Sequence, residues 1–160
     1  MRRLLFALAA ACAAPDPAAA AVDRIVVEKA ARRMTLYDGA AAVATYRVAL
    51  GFAPVGDKRR EGDGRTPEGV YRIDFKNPQS RFHRSLRVSY PDATDTRAAR
   101  RLGVAPGGDI FIHGTPGRRE PWPPGARIPD WTLGCIAVTD GEIEEIYRRV
   151  AVGTRIEIRP

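Results

Sequence analysis

Thiols and imidazoles are scarce in this chain. Two cysteines, Cys12 and Cys135, and two histidines, His83 and His113, are all that 160 residues supply. Too few cysteines are present for a disulfide framework, and a zinc site assembled from Cys135, His113 and His83 would lack both a fourth ligand and metal-type spacing. No metal and no cofactor are therefore expected. Beyond the first residues no apolar run is long enough to cross a membrane as a helix. Zinc-finger spacing and aromatic-plus-basic RNA-binding motifs are also missing, so the net charge of +7 is not read as nucleic-acid affinity. It implies attraction to carboxylate-rich surfaces instead.

Residues 1–21 have the layout of a secretory leader: Arg2 and Arg3, an apolar stretch from Leu4 to Ala11, and small residues at Ala18–Ala21. Acylation of Cys12 is disfavoured, because the cysteine arrives before a full apolar core and Ala9 stands where a Leu is usual. Residues 22–160 are expected to form one domain, a monomer exported to the periplasm or cell envelope. Cys135 is then a lone thiol in an oxidising compartment, a position better suited to chemistry than to structure.

The chain is organised around Asp109–Thr115 and Asp130–Thr139. One apolar run ends on His113; after a Pro-rich excursion, Gly134-Cys135 opens a second. An imidazole and a thiol at two strand ends can be neighbours, and a base within reach of a thiol makes it a strong nucleophile. The intervening loop holds five prolines, Trp122 and three arginines, Arg118, Arg119 and Arg127, and reads as a binding loop or lid. Trp131, just beyond it, is expected to pack.

Elsewhere Arg24–Lys29 reads as a strand, and Met34–Tyr37, Asp38-Gly39 and Val43–Leu50 read as a hairpin. Pro54–Pro67, rich in glycine and alternating charge, reads as a solvated loop in which Lys58, Arg59 or Arg65 are candidate substrate contacts. Val70–Lys76 alternates, with Tyr71, Ile73 and Phe75 on one face. Leu86, Val88 and Tyr90 mark a strand, and His83 is expected at the surface. Thr94-Asp95 can cap a short helix packing through Ala98, Ala99 and Leu102. Thr139 and Glu142 form a capping box ahead of Ile143, Ile146, Tyr147 and Val150 at helical spacing. Gly153 closes a connection, and Thr154–Arg159 alternates as a last strand. The fold class is mostly β, a sandwich or partly open barrel with one or two short helices.

Gly62–Tyr71, Ser89-Tyr-Pro91, Ile112-His-Gly114 and Thr132-Leu-Gly-Cys135-Ile-Ala-Val resemble, in order and spacing, the YkuD-type L,D-transpeptidase catalytic domain, in its YafK-like branch. The resemblance covers Arg24 to the C-terminus. It implies Cys135 as nucleophile and His113 as general base and acid. Gly134, Thr132 and Gly114 are implied as supporting residues around the oxyanion turn. Leu133 and Ala137 depart from the family pattern, which has His at the first position and commonly Asn or Arg at the second. The implied substrate is a peptidoglycan stem peptide of the meso-diaminopimelate type, with Arg65, Arg118 and Arg127 as candidate substrate-binding residues. Transfer to an amine gives a cross-link; hydrolysis would release a wall-linked peptide or lipoprotein; an inactive wall-binding module is the third possibility.

Overall fold

The structure, a computed structural model, describes residues 21–115 and 129–160. The expected leader, apart from Ala21, and the loop residues Arg118, Arg119, Trp122 and Arg127 lie outside them.

Alternation of β-branched residues sets the frame. Strands β1 (Val22–Glu28), β2 (Arg33–Asp38), β3 (Ala41–Arg47), β4 (Gly69–Ser80), β5 (His83–Val88), β6 (Phe111–His113), β7 (Ile136–Ala137) and β8 (Val150–Arg159) form one sheet in the order β3-β2-β1-β8-β4-β5-β6-β7. The β1–β8 and β6–β7 pairs are parallel and the others antiparallel. Of the two expected architectures this is the partly open barrel: a single sheet curled into a half-barrel, with two short helices. The stretch after β3 brings its edges together. Ala49 and Ala137 exchange backbone hydrogen bonds at 2.9 Å, and Phe52 N donates to Thr132 O at 2.9 Å.

The concave face is apolar. Ile25 faces Leu36 and Ile156 across its two neighbours, and Val27 faces Met34 and Ile158; all six are buried. Helix α2 (Asp140–Arg149) seats Ile143 and Ile146 in this core, and each such side chain contributes about 1.5–3 kcal/mol. Its capping box is the expected one, with Thr139 accepting from Glu142 N and Glu142 accepting from Thr139 N. The hairpin turn also forms as read, with Gly39 at φ +57°.

Four local readings change. Phe75 is exposed, because a register shift between Ile73 and Phe75 turns it away from the face that Tyr71 and Ile73 share. Helix α1 (Ala93–Arg101) is capped by Asp92, whose carboxylate accepts from Thr94 N and Asp95 N. Leu102 is exposed at its end, so only Ala99 is buried. Strand β8 starts at Val150, directly at the end of α2, because Val150 pairs with Val22; Gly153, at φ +95°, falls in the bulge between Val22 and Arg24 rather than in a connection.

Candidate active site

His113 ends β6 and Cys135 immediately precedes β7. The parallel register pairs Ile112 with Ile136 and His113 with Ala137. Carried one residue back, it sets Cys135 opposite Phe111, two positions from His113. Side chains alternate along strands, so thiol and imidazole share a face. Both line one groove of about 870 Å³, together with Lys58, Arg81, Phe82 and Trp131.

The imidazole is buried, 3% exposed. Its Nδ1 lies 2.6 Å from the Gly114 carbonyl oxygen. A carbonyl only accepts, so Nδ1 carries the proton and Nε2 is left as the lone-pair nitrogen. The ring stacks on Phe82, centroids 4.5 Å apart at 29°, and meets Trp131 edge-on at 5.7 Å. Trp131 packs as expected, but it does so against the imidazole. Burial pushes the imidazole pKa below its usual value, with the Gly114 carbonyl opposing. Burial likewise pushes the Cys135 thiol up, opposed by the Phe111 backbone N–H and the Lys58 charge. Both shifts favour the neutral forms of the two groups, and Sγ donates to the Asp109 carbonyl at 3.5 Å. Such a pair can move a proton from sulfur to nitrogen once a third group stabilises the charges.

Thr132 shapes the turn before the thiol. Its Oγ1 accepts from Gly134 N at 3.1 Å and donates to Cys135 O at 2.7 Å. Gly134 has φ +136°, and a Cβ there would stand 2.7 Å from Arg65 O; a Cβ on Gly51 would stand 2.1 Å from Gly64 O and 3.1 Å from Gly134 Cα. Three backbones meet at this junction without side chains between them, which fixes the Cys135 turn against the 51–66 loop. Asp130 anchors the approach to the turn, accepting from Leu50 N at 2.9 Å and from Arg32 through two nitrogens.

Gly114 is enclosed as well. Its N–H donates to Phe82 O at 3.1 Å, and next to it Thr115 donates to Asp140 Oδ1 through both N (2.8 Å) and Oγ1 (3.0 Å). Helix α2 thus holds the turn that follows the imidazole.

The other candidates separate. Arg65 does not line the groove: its guanidinium donates to Asp57 O at 3.2 Å, and only its backbone carbonyl approaches Gly134. Arg118 and Arg127 fall outside the described residues. His83 sits at the surface on Glu144, 2.7 Å away. The 54–67 loop is not merely solvated, because Lys29, 2% exposed, reaches into it and donates to Gly56 O, Thr66 O and Glu68. Lys58, 4% exposed, is buried in the groove wall on Asp63 at 2.8 Å. Phe82 went unread in the sequence, where an aromatic beside a hairpin turn gives no sign that it will cover a distant imidazole.

A curled half-barrel that sets Cys135, the one thiol among the described residues, and the His113 imidazole over one groove defines the class: a protein of the L,D-transpeptidase fold. The family model described as YkuD, L,D-transpeptidase catalytic domain, matches residues 22–158, and the chain belongs to this family, which acts on peptidoglycan. It is 27% identical over 108 residues to YafK of Escherichia coli (strain K12), a match that spans 66% of this chain and 36% of YafK. Among solved structures it is similar to the helical cell shape determining protein Pgp2 of Campylobacter jejuni, with 25% identity and a TM-score of 0.65 over 86% of this chain and 47% of Pgp2. The fold is shared with Mycobacterium tuberculosis L,D-transpeptidase 1, at 15% identity and a TM-score of 0.52 over 86% of this chain and 60% of that one.

Proposed function

We propose that this chain is a cysteine acyltransferase of the cell envelope acting on peptidoglycan stem peptides, with Cys135 as nucleophile and His113 as base. The observation that carries the reading is the imidazole's fixed tautomer: Nδ1 is committed to the Gly114 carbonyl, so Nε2, which no described residue hydrogen-bonds, is the basic nitrogen of a ring lining the groove that holds the only thiol among the described residues.

His113 Nε2 takes the Cys135 proton as sulfur attacks the carbonyl at the L-centre of meso-diaminopimelate. The Phe111 N–H beside the thiol supports the developing thiolate. Thr132 already occupies the Gly134 N–H, so the oxyanion falls to the Cys135 N–H, a contribution on the order of 3 kcal/mol. The amine of the leaving residue departs with the proton from His113, leaving a thioester. An incoming amine then gives a cross-link, and water gives a released peptide; both consume the same acyl-enzyme. Residues 1–21 as a secretory leader, with a basic domain following, suit work on an exported, carboxylate-rich polymer.

Intact-mass analysis after exposure to imipenem tests this. One covalent adduct is expected on the wild type and none on Cys135→Ala, with His113→Ala slowed by roughly 10²–10⁴-fold. An adduct on Cys135→Ala, or an undiminished rate in His113→Ala, overturns the assignment. Mass spectrometry of peptidoglycan incubated with the protein then separates new cross-links from released stem peptides.

A further inference from the structure

Lysine is almost never fully buried unless it is paired. Lys58 is 4% exposed and pairs with Asp63 Oδ1 at 2.8 Å, and its second donor goes to Arg60 O at 3.1 Å. An ammonium has three N–H groups. Among the described residues no acceptor takes the third, and the side chain lines the same groove as Cys135. Its Cε runs beside Gly107, where an added Cβ would stand 3.5 Å away.

The ammonium is locked in place. Asp63 also accepts from the backbone N–H groups of Arg59, Arg60 and Arg65 at 2.8–3.1 Å. Burial alone would raise its pKa, but Lys58 and these N–H groups bring it down to about 2. Its negative charge is thus shared among four donors and only part of it offsets Lys58. Other charges on the groove are Arg81, Glu61 and Asp109, all exposed, and solvent and salt screen them far more than a buried ammonium. The strand position beside His113 is Ala137, so β7 supplies no charge there.

We propose that Lys58 is a substrate-anchoring residue whose remaining N–H binds a carboxylate of the peptide held against Cys135. This rests on reading the groove as a peptide-acyl site, and it adds the recognition element which that reading lacks. The anchor fixes the donor strand so that its carbonyl meets the sulfur, and it favours acyl donors with a free carboxylate over those in which the same group is amidated.

Alkylation of Cys135 by iodoacetate and by its neutral isostere iodoacetamide reads the anchor without requiring catalysis. In the full chain the iodoacetate-to-iodoacetamide rate ratio is expected to exceed that of an unstructured cysteine peptide by about 10-fold, the low end for a hydrogen bond to a charged group. Lys58→Met should remove the excess, Lys58→Arg should keep most of it, and Asp63→Asn should raise it. A wild-type ratio no greater than the peptide's, or one unchanged in Lys58→Met, overturns the proposal. Should Lys58→Met not fold, the wild-type ratio and the opposite responses of the other two variants still decide. With stem peptides, Lys58→Met should raise KM about 10-fold for the free carboxylate and leave the amidated form unchanged; equal losses on both sink the anchor. The two readings fail separately. An altered ratio with no imipenem adduct removes the acyltransferase and keeps the anion site, whereas an adduct with an unaltered ratio does the reverse.

Discussion

Phe82 lies flat on His113. The two rings are stacked at 4.5 Å and 29°, and the Phe82 backbone carbonyl simultaneously accepts from Gly114, the residue whose own carbonyl holds Nδ1. One residue of the β4–β5 turn therefore sets both the plane and the tautomer of the imidazole. Displacing reacting groups by about 1 Å costs up to 10²-fold. Phe82→Ala is expected to lower the rate of imipenem acylation by roughly 10- to 100-fold, and to shift the acidic limb of its pH profile upward as water reaches the ring. Phe82→Tyr should keep both near wild type; a profile unmoved in Phe82→Ala would leave Phe82 with a structural role only.

The opposite shifts of the two groups predict how stability follows pH. His113 is depressed by burial, so below the ordinary imidazole value the unfolded chain binds more protons than the folded one, and stability falls as pH drops through that window. Cys135 is raised by burial, so stability falls as pH climbs past the ordinary thiol value. Urea midpoints across pH should show both slopes. Cys135→Ala should flatten the alkaline one and His113→Gln the acidic one; a variant that keeps the slope assigned to it contradicts the linkage.

Gly114 has no room for a side chain. A Cβ would meet Asp140 Oδ1 at 2.5 Å and both Ile143 Cγ2 and Phe82 O at 3.0 Å. Gly114→Ala is expected to destabilise by about 1–3 kcal/mol, the usual cost of overpacking, and to slow acylation because the displaced carbonyl no longer holds Nδ1. In the Asp140→Ala background the added cost should shrink, since the nearest atom is gone; additive losses in the double variant would place the strain elsewhere.

Lys29 ties β1 to the loop that carries Lys58. It donates to Glu68 Oε1 at 2.8 Å, Thr66 O at 2.9 Å and Gly56 O at 2.6 Å. Lys29→Met strips three acceptors of a charged donor, and a loss of about 2 kcal/mol or more is expected in urea denaturation. Loosening the Gly51–Gly64–Gly134 junction should also broaden the pH dependence of Cys135 alkylation. A stable variant with unchanged alkylation would show that the loop is held by its backbone contacts alone.

Much of this was legible locally. A turn glycine after Asp38, the Thr139–Glu142 capping box and the Ile143/Ile146 face each depend on a few consecutive residues, so propensity and spacing were enough to place them. The same holds for the apolar runs that end at His113 and begin at Cys135, and for the motif spacings that carry the family resemblance. Strand limits were less readable, because the start of β8 depends on Val22, well over a hundred positions from Val150, and the outward turn of Phe75 depends on a partner strand about a dozen positions away.

Chain chemistry by itself determined which functional groups exist: two cysteines and two histidines, with Cys135 and His113 at the ends of apolar runs, in a basic and mostly β chain. Only the tertiary structure decided that the β6–β7 register puts them on one face, that Phe82 and Trp131 enclose the imidazole, and that Lys58 is buried in the groove while Arg65 turns away. The physical reason is that local propensity is set by near neighbours, whereas burial and the field around a charge are set by whatever the curled half-barrel brings against it.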